Sequence, residues 1–179
     1  YLRDNGEWKP LTSETQLKEG DSVKTAADSR AVLTFDDGSA LRLDASSSVQ
    51  LTSLKADNVE VKQLEGIAYS RVVPSDRSYK VTIDTTSYTA MGTAFATTST
   101  SGEKGVRVFQ SSVKVNGVDA AVKEGEQYYR ENSDSLKKEK ITTIDLDALT
   151  ANEFFAWNTA EDEKDTQFKE KLGVLAQIK

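Results

Sequence analysis

Ala31-Val32-Leu33-Thr34-Phe35-Asp36-Asp37-Gly38-Ser39-Ala40-Leu41-Arg42-Leu43 carries two short alternations on either side of a turn. Leu33 and Phe35 alternate with polar or small neighbours, and so do Leu41 and Leu43. A period of two marks strands with one buried face. Loop length then selects the register. A two-residue turn at Asp37-Gly38 would place Leu41 and Leu43 on the face opposite Phe35, the usual result of a one-residue slip. A three-residue loop, Asp36 to Gly38, pairs Phe35 with Ser39, Leu33 with Leu41 and Ala31 with Leu43. It gathers the apolar side chains on one face. Such a loop ends in a left-handed residue, and glycine adopts that conformation without steric cost. The hairpin is expected to form the core of the domain.

Similar signals run to both sides. Before the hairpin, Tyr1, Leu2, Trp8 and Leu11 flank Asn5-Gly6, a good hairpin dipeptide. Leu17-Lys18-Glu19-Gly20-Asp21 turns the chain into a short strand holding Val23 and Thr25. After the hairpin come Val49 and Leu51, then Val59 and Val61. A turn at Leu64-Glu65-Gly66 leads to Ile67, Tyr69 and Val72. Tyr79, Val81 and Ile83 alternate cleanly. Ala90-Met91-Gly92-Thr93-Ala94-Phe95 reads as a strand with an internal glycine, the mark of a bulge or a close backbone approach. Val106 and Val108 face Val113 and Val115. Asn116-Gly117 then predicts a two-residue turn pairing Val115 with Val118 and Val113 with Ala120. The phrase Leu17-Lys-Glu-Gly-Asp21 recurs as Val122-Lys-Glu-Gly-Glu126, as equivalent turns would. Short strands punctuated every eight to twelve residues or so argue a sandwich, barrel or solenoid.

The pattern changes near residue 144. Thr150-Ala-Asn-Glu153 is a capping box, with Leu149 and Phe154 placed as a hydrophobic staple. Phe154 and Trp157 share a helical face, and Phe168, Leu172 and Leu175 recur at helical spacing beyond the charged run Glu161 to Asp165. The spacing predicts a helix from 151 to about 158 and a second, or a continuation, to about 177. The expected fold is mainly β. It is a twisted two-sheet β-sandwich or β-solenoid-like domain of short antiparallel strands over residues 1–143. A C-terminal α-helical segment, 144–179, packs on it.

Composition narrows the chemistry. The chain of 179 residues has no Cys and no His. That removes disulfides, thiol nucleophiles, the commonest general base and the commonest metal ligands. Acidic residues outnumber basic ones, 29 to 23, so no basic footprint for nucleic acid appears. No apolar run reaches the roughly 20 residues of a membrane span.

Asp36-Asp37 reads as a turn former rather than a carboxylate pair, since no calcium-loop pattern surrounds it. Thr93 after Gly92 has no base to activate it. The expectation is therefore no enzyme, no catalytic residue, no cofactor and no metal. Tyr69, Tyr79, Tyr88, Tyr128 and Tyr129 are either strand residues facing inward or an aromatic platform for sugar or peptide. Adjacent strand residues point to opposite faces, so one of Tyr128 and Tyr129 is a candidate partner contact.

The order of motifs resembles the FecR domain, an extracytoplasmic β-rich module of bacteria. The phrases are Trp8; Leu17-x-x-Gly20-Asp21 with Thr25; Leu33-x-Phe35-x-Asp37-Gly38-Ser39-x-Leu41-x-Leu43; and Val49-x-Leu51. They continue with Leu64-x-Gly66, Gly92-Thr93-x-Phe95, Val106-x-Val108, Val113-x-Val115 and Gly125-Glu126. The family usually has a glycine between the two valine pairs, where this chain has Ser111-Ser112. The resemblance implies a non-enzymatic domain that binds proteins and transmits signals. In Gram-negative regulators of this type it sits outside the inner membrane and receives a signal from an outer-membrane transporter, while a cytoplasmic segment controls a sigma factor.

The expected location is periplasmic or cell-surface, with a tether in a membrane segment outside these residues. The expected partner is a protein of the cell envelope. A carbohydrate-binding or structural envelope module is the alternative. The stripe of Phe168, Leu172 and Leu175 needs a cover. Either it folds back onto the sheet, or it contacts a partner or a second copy of the chain.

Overall fold

The structure, a computed structural model, describes residues 1–4, 6–11, 14–131 and 140–178. In chain order the strands are β1 (Leu2–Asp4), β2 (Glu7–Lys9), β3 (Ser22–Lys24), β4 (Ala31–Thr34) and β5 (Ala40–Leu43). Then follow β6 (Ser48–Leu54), β7 (Asn58–Arg71), β8 (Ser78–Ile83), β9 (Thr86–Ala90) and β10 (Ala94–Ser99). The last are β11 (Glu103–Gln110), β12 (Ser112–Val115), β13 (Val122–Lys123), β14 (Glu126–Glu131) and β15 (Lys140–Thr143). Two helices, α1 (Leu146–Thr150) and α2 (Glu153–Lys164), and a 3-10 turn, Gly173–Gln177, complete the chain.

Strand β7 organises the molecule. Its first half pairs with β6 and, in parallel, with β8. Its second half pairs with β5 and β10. The same backbone thus belongs to two sheets. The first runs β2-β1-β3-β6-β7-β8-β9-β12-β13 and the second β4-β5-β7-β10-β11-β14-β15, and neither closes into a barrel. The switch falls at Gly66, whose φ is +85°. A Cβ there would lie 2.6 Å from Ser47 Cα, so only glycine lets the strand bend against that neighbour. Ser47 Oγ then accepts from Ile67 N at 3.0 Å and restores a bond at the bend. Leu64-Glu65-Gly66, expected to turn the chain, instead carries the strand across.

The two sheets pack face to face. Alternating residues of both fill one core, including Val49, Leu51, Val61 and Val81 from the first sheet and Leu41, Leu43, Phe95 and Val106 from the second. Tyr79 bridges the sheets: its ring meets Phe95 edge-on at 6.2 Å, and its hydroxyl shares a 3.2 Å bond with Ser70 Oγ. The valines 106, 108, 113 and 115 meet across this core rather than as ladder partners.

The β4–β5 hairpin has the three-residue register, Leu33 opposite Leu41 and Ala31 opposite Leu43, closed by Phe35 N donating to Ser39 O at 2.8 Å. Gly38 has φ +84°. The hairpin is not central, however. Among the described residues β4 pairs only with β5 and forms an outer edge, so Phe35 is half-buried where Leu41 and Leu43 are sealed. The first hairpin pairs Leu2 with Lys9 and Asp4 with Glu7; Asn5 lies outside the described residues. Gly92 sits between β9 and β10 rather than inside a strand, because the chain there passes close over Pro74, 2.7 Å from an added Cβ to Pro74 Cα.

Beyond Asn116-Gly117 the backbone loops out. Val113 therefore pairs with Val122 rather than with Ala120, and only the Val118 N to Val115 O bond, 3.2 Å, remains of the expected turn. The two recurring phrases do form the same turn. Lys18 N donates to Asp21 Oδ2 and Lys123 N to Glu126 Oε2, each at 2.8 Å.

The C-terminal segment forms a third layer on the outer face of the second sheet. Phe154 and Phe155 of α2, with Leu149, Leu175 and Ile178, pack on Tyr69, Ala94, Ala96 and Phe109. Phe155, rather than Trp157, is the second sealed ring, and Trp157 stays half-buried beneath Arg30 at 5.4 Å. Asn152, not Thr150, caps α2, accepting from Phe154 N at 2.9 Å. Thr150 instead ends α1, which Asp145 caps, so the helical region begins earlier than expected. No second α-helix carries Phe168 to Leu175. After Lys164 the chain turns, and Gly173 at φ +58° packs on Phe109 O, which a helix in that place would not permit.

Candidate functional site

Between the second sheet and α2 lies a sealed polar cluster. Arg42 on β5 and Arg71 on β7 point outward from the sandwich core, into the helix layer. Asp162 of α2 meets both. Arg42 Nη1 donates to Asp162 Oδ1 at 2.6 Å, and Arg71 Nε stands 3.4 Å from Asp162 Oδ2, a charge contact outside hydrogen-bond geometry. Tyr69 donates its hydroxyl proton to Asp162 Oδ2 at 2.5 Å. Burial first, and the Asp162 charge second, hold that hydroxyl well above its ordinary value.

Two cations face one carboxylate here, and neutral acceptors make up the difference. Arg71 donates to Gln110 Oε1 at 2.7 Å and to the carbonyl of Lys171 at 2.8 Å, with its guanidinium 4.3 Å from the Phe168 ring centroid. Arg42 reaches Asn158 Oδ1 at 3.3 Å. A buried charge left without partners would be strongly destabilising, so the C-terminal chain must wrap Arg71 to satisfy it. The cluster is a clasp, closed to solvent, and offers no ligand access.

Open geometry lies at the edge strand β4. A groove of about 1040 Å³ runs between β4 and the stretch Glu14 to Glu19. Its apolar floor is Leu17, Leu33, Phe35, Leu51 and Leu54, the margin of the inter-sheet core. Because Phe35 and Ser39 form a hydrogen-bonded pair, the alternation of an antiparallel ladder makes Leu33 and Ala31 bonded to β5 too. The N–H and C=O of Val32 and Thr34 therefore point out to the groove. Val32 is 53% exposed. The charged lining is Glu14, Glu19 and Asp36 against Lys18 and Arg77, and Arg77 is paired with Asp36 and with Asp37 beside the groove.

Asp37 is a turn former, its Oδ1 accepting from Ser39 N at 2.8 Å. Among the described residues no group of three or more acidic side chains is disposed to hold a metal ion. Tyr69, Tyr79, Tyr88 and Tyr128 are buried in the chain. Tyr129 lies on the opposite face of β14 from Tyr128, half-buried under Arg107 at 4.8 Å, and Gly105 leaves room for its ring. Phe168 and Leu175 are buried against the sheet layer and Leu172 is half-buried. The structure thus scatters the sequence-derived contact candidates. Tyr128 is in the sandwich core, Tyr129 on the outer face, and Phe168, Leu172 and Leu175 on this chain's own clasp. The structural positions Gly20, Asp21, Gly66, Gly92, Thr93, Phe95 and Gly125 sit at turns, crossings and core rather than in one site. Thr93 donates its hydroxyl proton to the carbonyl of Gln110. Sequence reasoning missed Arg42, Arg71, Asn158 and Asp162, and also Val32 and Thr34. The available signal was an arginine between two buried leucines and a strand edge without a charge.

The frame is thus an open two-sheet β-sandwich with a C-terminal helix clasped onto the outer face of its second sheet. The model of the FecR protein family matches residues 21–114, just over half of the chain, and the chain belongs to that family. Two crystal structures of a candidate anti-sigma factor from Parabacteroides distasonis ATCC 8503 share the fold, with TM-scores of 0.64 and 0.63 at 18% identity. Each alignment covers 77% of this chain and 64% of that one, so this chain spans under two thirds of their length. No curated protein matches. Among the described residues no helix is long and apolar enough to cross a membrane.

Proposed function

We propose that this chain is a non-enzymatic, extracytoplasmic module that receives or passes on a signal through protein contacts. In this reading a membrane segment outside these residues tethers it. The carrying observation is the family match across residues 21–114, which spans most of the sandwich and the whole β4–β5 hairpin. The kinship of fold with a candidate anti-sigma factor agrees with it. The carbohydrate alternative needs a line of exposed rings, and four of the five strand tyrosines are buried.

The test is genetic. Residues 21–178 are deleted in frame from the gene that encodes the chain, and transcripts are profiled. The expected result is a changed level of a discrete set of transcripts, restored by the intact gene. An unchanged profile under every envelope stress applied would sink the signalling role.

A further inference from the structure

The two open sheets have four outer strands among the described residues: β2, β13, β4 and β15. Natural sheets guard such edges with charge, above all lysine. Three of these follow the rule: β2 carries Glu7 and Lys9, β13 carries Lys123, and β15 carries Lys140. β4, Ala31-Val32-Leu33-Thr34, carries none. It is also the edge beside the groove, where the Val32 and Thr34 backbone groups face out and the core margin lies open.

We propose that β4 is a strand-acceptor site, at which an extended segment of a partner protein adds to the second sheet. The proposal rests on the protein-contact reading above and gives it a location. Backbone pairing to Val32 and Thr34 supplies the sequence-independent part of the recognition. The added strand's alternate side chains enter the groove over Leu17, Phe35, Leu51 and Leu54, and the others face solvent beside Val32. Such a segment therefore alternates apolar with polar residues. The lining's excess of carboxylates, three to two cations, in a chain of net charge −6, favours lysine or arginine at its ends over acidic residues. Four residues make a short edge, so affinity depends on the groove as well as the ladder, which gives the site its selectivity.

The probe is a short capped peptide alternating valine with threonine between lysine ends, titrated into the chain. Binding is read by amide chemical shifts and hydrogen exchange. The Leu33 and Phe35 amides, already bonded within the hairpin, should exchange slowly throughout. The Val32 and Thr34 amides should exchange fast alone and slowly with peptide, with shifts confined to 14–19, 31–36 and 51–54. Thr34→Pro removes an outward N–H without touching the β5 ladder. It should keep the melting transition and weaken binding by about tenfold or more. The same peptide with a central proline should not bind.

Saturable shifts elsewhere, equal binding of the proline peptide, or no binding at all overturns the proposal. Protection of Val32 and Thr34 that grows with protein concentration, without peptide, overturns it in favour of a second copy. Protection of the same amides in dilute protein without peptide overturns it in favour of a segment of this same chain. If the edge fails while the deletion still changes transcription, the contact lies elsewhere and the signalling reading stands. If the deletion changes nothing, that reading fails whatever the peptide does.

Discussion

Arg71 of β7 and Asp162 of α2 stand 3.4 Å apart, neither side chain more than 1% exposed. Arg42 reaches the same carboxylate from β5. Asp162→Ala leaves two buried guanidinium groups without an anion and should destabilise the fold by about 3–5 kcal/mol. Asp162→Asn keeps an acceptor for Tyr69 and should cost less than Ala. Urea unfolding measures both. A loss under about 1 kcal/mol for Ala, the scale of an exposed pair, would show the clasp is not holding.

Truncation after Asn158 removes Asp162 together with Phe168, Leu175 and the Lys171 carbonyl that bonds Arg71. The buried arginines and the face of Tyr69 and Phe109 are then stripped at once. The expected outcome is loss of the cooperative thermal transition, followed by circular dichroism. A truncated chain that melts like the intact one would mean the third layer adds nothing to folding.

Gly66→Ala adds a Cβ 2.6 Å from Ser47 Cα at φ +85°. Left-handed strain and overpacking together should destabilise by about 2–4 kcal/mol. Gly117→Ala, at φ +78° with open space around it, carries only the strain and is the control. Equal losses at the two positions would argue that no close approach exists at Gly66.

Ser111, between the two valine pairs, takes φ +62°, and its carbonyl accepts from Glu124 N at 2.8 Å. Ser111→Gly should therefore stabilise, by about 0.5–1 kcal/mol, as relief of left-handed strain exceeds the entropy added to the unfolded chain. A shift of the denaturation midpoint downwards would contradict this.

Burial holds the Tyr79 hydroxyl above its ordinary value of 10.0, with the Ser70 bond opposing and Asp37 reinforcing the rise. Tyr69 is raised likewise. In the folded state both keep their protons at a pH where the unfolded chain has lost them. Their contribution is complete below pH 10 or so and disappears as pH rises through the folded values. Unfolding midpoints should fall steeply above that pH, and Tyr79→Phe should flatten the fall. An identical slope in the variant would remove Tyr79 from the account.

The hairpin register was legible because Leu33, Phe35, Leu41 and Leu43 share a face in only one loop length and Gly38 marks its end. The family was legible for a related reason: its phrases are turns and alternations, which are local. What stayed hidden depends on contacts distant in sequence. Gly66 reads equally as a turn or as a bend within a strand, and the approach of Ser47 and β5 decides between them. Asp162 reads as part of a solvated run from Glu161 to Asp165, and only Arg42 and Arg71 waiting on the sheet make it interior. Thr150 fits a capping box, yet Asn152 lies nearer the turn that the packing of Phe154 and Phe155 dictates. Phe35 alternates as well as Leu33, but its place at an outer edge leaves it half-exposed, so its truncation would cost less than that of a sealed phenylalanine.

One strand shared by both sheets also fixes how the domain can move. Stacked sheets joined only by loops can slide on each other. Here the backbone of Val61 and that of Ala68 are one continuous β7, zipped on both sides in both layers. Shear between the layers would have to tear that ladder, so low-energy partial openings are confined to the margins and the centre opens only with the whole. A load applied at one end of β7 consequently reaches the other through continuous, hydrogen-bonded backbone rather than through loops.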